Sequence, residues 1–262
     1  MAAEKEKSEA PNGMRSLTRA IAVFEQIQRY EHPRRLSTIA ADMGMSSPTT
    51  LRILRVLQEA GLVSQTDKSY RLGPAVLPAA RVFLENDPLP RVAQPILQQL
   101  SQATKLTASL YTRLGSERVL VERVVGESSL GYNLPQGRRL PLTAGAAGRI
   151  FLLGADDDEL TQIAETSRHL HYENEDFDLK AIKAIKARAP KADASYAISE
   201  DERALGIISI ATAIPSRQGP PTEALSLTGP IHTVTRETLE ARAPELLQAA
   251  RRLSDLLASS VY

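Results

Sequence analysis

The sequence contains no cysteine, so it holds neither a disulfide framework nor a thiolate metal site, and cysteine-based catalysis is excluded. No run of 18 uninterrupted apolar residues occurs, so no segment reads as a membrane-spanning helix. The first 13 residues alternate Glu and Lys with Ala, Ser and Pro and lack the apolar centre of a signal peptide. They predict a disordered tail on a cytoplasmic protein that keeps away from membranes. A Gly-x-Ser-x-Gly elbow, a P-loop and a dinucleotide fingerprint are all missing, which leaves the enzyme classes they serve without an anchor. Of the four histidines only His169 and His171 stand close together, followed by Glu173 and Glu175. That segment lacks a further matched ligand cluster, so no metal site is expected. The acidic run from Asp156 to Glu159 reads as a favourably charged helix start. Neither an enzyme nor a cofactor is predicted.

What is present suits two folded domains. A length of 262 residues is comfortable for two cores, and 42% hydrophobic with 24% charged residues is ordinary globular composition. The net charge of +1 conceals an uneven split. Residues 14–81 hold ten Lys or Arg against five acids, a net of +5, whereas residues 82–262 come to −3. A basic head on a slightly acidic body fits a nucleic-acid-binding module joined to a sensor.

Helical spacing of Leu17, Ala20, Ile21, Phe24 and Ile27 predicts a helix over residues 16–30, with Ser16 available as N-cap. After His32-Pro33, Ser37 would cap a short helix carrying Ile39, Ala40 and Met43 inward, ended by Gly44. Ser46-Ser47-Pro48 starts a third helix that runs to about Ala60 and stops at Gly61. Strand-like pieces at 62–65 and 70–73 flank a turn at 66–69. Three helices, a tight turn and a basic wing in this spacing define a winged helix-turn-helix. On the third helix Leu54, Leu57 and Ile53 face the core, while Pro48, Arg52, Arg55 and Glu59 face outward. Ser47 and Thr49 can reach phosphate or base edges, and Arg52 has the fork that guanine requires. Together with Arg55, Arg19, and Lys68 and Arg71 of the wing, they form the expected DNA-contacting set; the competing reading makes the arginines a solvated helix face.

Residues 74–86 predict a connecting helix broken by Pro78 and ended at Asp87-Pro88. The domain limits are therefore set at 14–77 for the winged helix, 78–90 for the linker helix and 91–262 for the second domain. In the latter, an amphipathic helix over 91–104 buries Val92, Ile96, Leu97 and Leu100. Strands at 107–113 and 118–125 form a hairpin, and 129–133 offers a third. The small-residue run from Thr143 to Gly148 opens a helix continuing to Leu153. Helices at 157–165 and 179–189, strands at 195–198, 207–213 and 223–227, and a closing helix at 235–257 complete an α+β domain with an antiparallel sheet.

From Ser16 onward the chain resembles the isocitrate lyase regulator (IclR) family of bacterial transcription factors. One anchor is Ser16-Leu17-Thr18-Arg19-Ala20 with Thr49, Arg52 and the wing end Tyr70-Arg71-Leu72-Gly73-Pro74. The other is Leu140-Pro141-Leu142-Thr143-Ala144, Ala204-Leu205-Gly206 and Leu225-Ser226-Leu227-Thr228-Gly229-Pro230, in family order. The resemblance implies a dimerising linker helix and a C-terminal effector domain with a GAF-like sheet. It also implies a ligand site at Leu140, Ala146, Ala147, Ser199, Ile207, Ser209, Ser226 and Thr228. Backbone N–H groups of Ala146 and Ala147 at a helix start, with four hydroxyls and two aliphatic chains, would suit a small carboxylate.

The chain departs from the family at Ala146-Ala147, where many members have Gly-Ala, and at Ser199, where an acid often stands. Pro48 and Leu51 likewise replace a common serine and a common histidine or tyrosine. The expected function is a ligand-responsive regulator, repressor or activator, of catabolic genes, sensing a small organic or aromatic acid. Its partners would be a double-stranded DNA operator and further copies of itself, as homodimer or homotetramer. The alternative is a ligand-independent architectural DNA-binding protein, in which Ser209, Ser226 and Thr228 are core hydroxyls.

Overall fold

A computed structural model describes residues 12–127, 134–169, 179–187, 195–216 and 220–259. The chain divides into two compact units after Phe83.

The first unit contains α1 (Asn12–Arg29), β1 (Arg34–Arg35), α2 (Leu36–Asp42), α3 (Ser47–Glu59), β2 (Val63–Thr66) and β3 (Ser69–Leu72). Its core gathers Val23, Ile27, Ile39, Leu54, Leu57, Val63 and Tyr70. Helix α1 begins inside the stretch expected as a tail, so Ser16 lies within the helix and does not cap it. Leu17 and Ile21, expected inward, are 56% and 51% exposed, and Val23 takes the buried place. Ser37 is likewise inside α2, whose N-cap is Arg35 with no side-chain cap. Long-range pairing of Arg34 with Tyr70 and Arg35 with Ser69 sets the entry to α2 instead. Gly44, at φ +58°, turns the chain out of α2, and the Met45 N–H donates back to the Ala40 carbonyl at 2.9 Å. Ser46 caps α3 by accepting from the Thr49 N–H, and Pro48 in the first turn needs no donor. Asp67 and Lys68, both at positive φ, close the two-residue hairpin of the wing, and its sheet order is β1-β3-β2.

Helix α4 (Val76–Asn86) spans the unit boundary. Pro78 does not break it, because a proline in the first turn removes no helical hydrogen bond. Leu77, Val82, Phe83 and Leu84 along it are exposed.

In the second unit α5 (Pro88–Thr104) starts three residues earlier than expected, since Asp87 accepts from the Leu89 N–H at 2.8 Å and acts as its cap. Strands β4 (Thr107–Leu114), β5 (Glu117–Val124), β6 (Arg139–Pro141), β7 (Ala197–Glu200), β8 (Ile207–Ala213) and β9 (Glu223–Pro230) form an antiparallel sheet in the order β6-β5-β4-β9-β8-β7. The strand expected at 129–133 lies outside the described residues, as do His171, Glu173 and Glu175. One face of the sheet packs Leu110, Ile210, Leu225 and Leu227 with Leu97 and Leu100 of α5. The opposite face packs Tyr111, Leu120, Ala211 and Ala224 with α6 (Ala146–Phe151) and α7 (Asp157–His169), and α8 (Leu179–Ala187) adds Ile182. The single closing helix expected at 235–257 is two, α9 (Arg236–Ala241) and α10 (Ala243–Ser259). Pro244 accounts for the break: it cannot donate into α9, and it fits the first turn of a new helix.

Candidate functional site

Two groups of residues stand out, one in each unit. On α3, burial of Leu54 (0% exposed) and Leu57 (7%) fixes the rotation of the helix. Pro48, Arg52, Arg55 and Glu59 are consequently exposed, while Leu51 is half-buried. Ser47 is exposed at the helix start; the Thr49 hydroxyl lies 2.9 Å from Ser46 Oγ and shares in the cap. Arg19 on α1, Lys68 at the wing tip and Arg71 on β3 are exposed as well.

The wing register reveals a residue that sequence reasoning missed. Tyr70 and Val63 are buried, so their face of the small sheet points to the core. Alternation then puts Arg35, Ser64, Thr66, Ser69 and Arg71 on the outward face. It is wholly polar and carries two guanidinium groups. Arg34, one residue earlier, lies over the Tyr30 ring at 5.5 Å. The Tyr30 hydroxyl donates to Asp42 at 2.5 Å, and burial together with that bond raises its pKa. No local pattern could announce a two-residue strand formed by pairing with β3.

In the second unit the sheet register lines up hydroxyls. Ser199 pairs with Ser209, Ser209 with Thr228 and Thr228 with Thr107; one row away Ala211 pairs with Ser226, and Ser226 with Ser109. These side chains share the face that carries Ala211 and Ala224, which is the face covered by α6. Ile207 has the same parity on β8, and Leu140 packs with Ala146 and Ala147. All eight residues of the expected ligand site are therefore assembled on one side of one sheet. The helix start is less open than expected, because the Ala146 N–H donates to Ser199 Oγ at 2.8 Å and Ser199 Oγ lies 2.9 Å from Ser209 Oγ.

Three charged residues belong to the same place and were not anticipated. Arg149, 9% exposed, donates to the Ile198 carbonyl at 2.6 Å and pairs with Glu202. Glu202 also accepts from the Gly145 N–H at 3.1 Å. Arg118, 2% exposed, donates to the Pro141 carbonyl and lies over the Tyr111 ring at 5.4 Å. Among the described residues no group of three or more His, Asp or Glu is placed to hold a metal ion, and no described helix is long and apolar enough to cross a membrane.

A winged helix-turn-helix with an exposed arginine row, followed in the chain by a sheet domain with a polar inner face, defines the class of DNA-binding transcriptional regulators with an effector domain. Comparison with known proteins gives the family. The IclR helix-turn-helix domain matches residues 16–67, and the bacterial transcriptional regulator IclR C-terminal domain matches residues 82–255. The chain belongs to the IclR family and is a regulator, not an enzyme. It is 26% identical over 251 residues to the HTH-type transcriptional repressor AllR of Escherichia coli K12, covering 95% of this chain and 92% of that one. Its fold matches an IclR family transcriptional regulator of Brucella abortus with a TM-score of 0.78, 24% identity and coverage of 96% and 94%. It also matches an IclR homologue of Microbacterium hydrocarbonoxydans, solved with 4-hydroxybenzoate, with a TM-score of 0.64, 20% identity and coverage of 93% and 99%.

Proposed function

We propose that this regulator, as repressor or activator, controls catabolic genes in response to a small organic acid, aromatic acids included. The row Ser199, Ser209 and Thr228 beside the buried Arg149 guanidinium carries the reading: it offers hydroxyls for a polar body and a permanent cation for a carboxylate. A solved relative that holds 4-hydroxybenzoate supports the same ligand class. Operator affinity of the full chain, measured across aliphatic and aromatic acids, is expected to change at least tenfold with an effective acid. A panel without any response would sink the sensor reading.

On the DNA side, Arg52 and Thr49 read bases, while Ser47, Arg55, Arg19, Lys68 and Arg71 hold the backbone of a pseudo-palindromic site. Paired α3 helices require a homodimer or homotetramer, and the exposed apolar residues of α4 support pairing through the linker. Arg35 joins the phosphate contacts, on the same outward face as Arg71. Arg35→Ala is expected to lower the slope of log K against log salt by about 0.9 and leave sequence preference unchanged. An unaltered slope would remove Arg35 from the interface.

A further inference from the structure

We propose that the Arg149 guanidinium and the Gly145 N–H form a carboxylate-binding subsite which Glu202 of the same chain fills, and that an acid ligand engages the effector face by taking its place. The proposal rests on the reading of this unit as an acid sensor and names the group through which the acid is held.

A carboxylate already demonstrates the fit. One Glu202 oxygen pairs with Arg149 and the other accepts from Gly145 N–H at 3.1 Å, so both oxygens are engaged. The second guanidinium nitrogen donates to the Ile198 carbonyl at 2.6 Å, which pins the cation against β7. The charge comes from this guanidinium and not from the short helix on which it stands. The two partners differ in access: the Arg149 side chain is 11% exposed and that of Glu202 25%. The cation is held inside and its carboxylate reaches in from the solvent side.

The surroundings suit a ligand that extends from the same point. A side-chain carbon on Gly145 would stand 3.5 Å from an Arg118 nitrogen and 3.9 Å from Ser199 Oγ, so the guanidinium of Arg118 and the hydroxyl row border this one backbone position. A ligand carboxylate on Arg149 would thus place the rest of the molecule along Ser199, Ser209 and Thr228. It cannot share the position with Glu202, since two carboxylates in a partly buried site repel and one must leave. Departure needs only a side-chain rotation. The turn that bears Glu202 is closed independently by Gly206 N–H donating to Asp201 Oδ1 at 2.6 Å and Asp201 N–H donating to the Ile207 carbonyl at 2.9 Å.

Chemical rescue with acetate tests the subsite whichever acid is the natural effector. Thermal unfolding of the full chain is followed in sodium acetate against sodium chloride of equal ionic strength, for the wild type, Glu202→Ala and Glu202→Gln. Acetate is expected to raise the Tm of Glu202→Ala saturably, by about 3 °C at roughly ten times its dissociation constant, and to leave the wild type as in chloride. Glu202→Gln keeps the size of the side chain and is expected to respond as well, because an amide cannot neutralise the guanidinium. Adding Arg149→Leu to either variant is expected to abolish the response. Acetate that acts on all proteins alike, or on none, overturns the proposal. Acetate rescue with no acid affecting operator binding would uphold the subsite and sink the acid-sensor reading; the reverse pattern would uphold the sensor and move its ligand elsewhere.

Discussion

Alanine in place of Arg52 is expected to weaken operator binding by about 1–3 kcal/mol, roughly five- to 150-fold, and to affect random duplex far less. The expectation follows from how the side chain is presented. Leu54 and Leu57 on the same helix are buried at 0% and 7%, so α3 cannot rotate to hide Arg52 without exposing core. Among the described residues no ion pair or hydrogen bond occupies the Arg52 guanidinium, so a guanine edge competes with water alone. Four residues on, Val56 is 61% exposed on the same side of the helix, an apolar neighbour suited to a thymine methyl group. Anisotropy titrations of operator and scrambled duplex at one salt concentration provide the check. Equal losses on both would make Arg52 a phosphate contact and leave base reading to Thr49.

Local signals proved sufficient where the determining interaction is local. Gly44, the Ser46 cap with Pro48, and the turn within residues 66–69 punctuate the winged helix clearly enough to place the end of α2, the start of α3 and the hairpin. The same holds for the β4–β5 hairpin at Gly115 and for β8. Periodicity failed where a punctuating residue was overridden by it, as at Pro244, and where part of an apolar stripe is left exposed among the described residues, as at Leu17 and Ile21. It was silent where partners are distant. Strand β1 exists through its pairing with β3, and Arg149 and Glu202 lie 53 positions apart. The hydroxyl face of the sheet came from family resemblance; the register then explained it, since alternate residues on β7, β8 and β9 fall into shared rows.

The run of small residues before and within α6 lets other parts of the protein approach its backbone closely. A side-chain carbon on Gly148 would collide with the Leu142 carbonyl oxygen and stand 2.9 Å from an Arg118 nitrogen. Neither can yield easily: the first is backbone, and the second belongs to a 2% exposed side chain held by the Pro141 carbonyl and packed over Tyr111. Gly148→Ala is therefore expected to cost about 3 kcal/mol, the upper part of the range for overpacking, by lifting α6 from the sheet. The lift would stretch the Ala146–Ser199 bond and the Arg149–Glu202 pair, so ligand response should fall with stability. Gly145→Ala makes the contrast, since a carbon there meets nothing closer than 3.5 Å but the residue holds φ +81°. Its cost is backbone strain of about 1–3 kcal/mol, because φ +81° with ψ 163° is a region essentially confined to glycine, with the helix left in place. Denaturant unfolding of both variants separates the two effects: a Gly148→Ala protein as stable as the wild type would show that α6 can slide over the sheet, and the close approach at Leu142 would then be no determinant of the site.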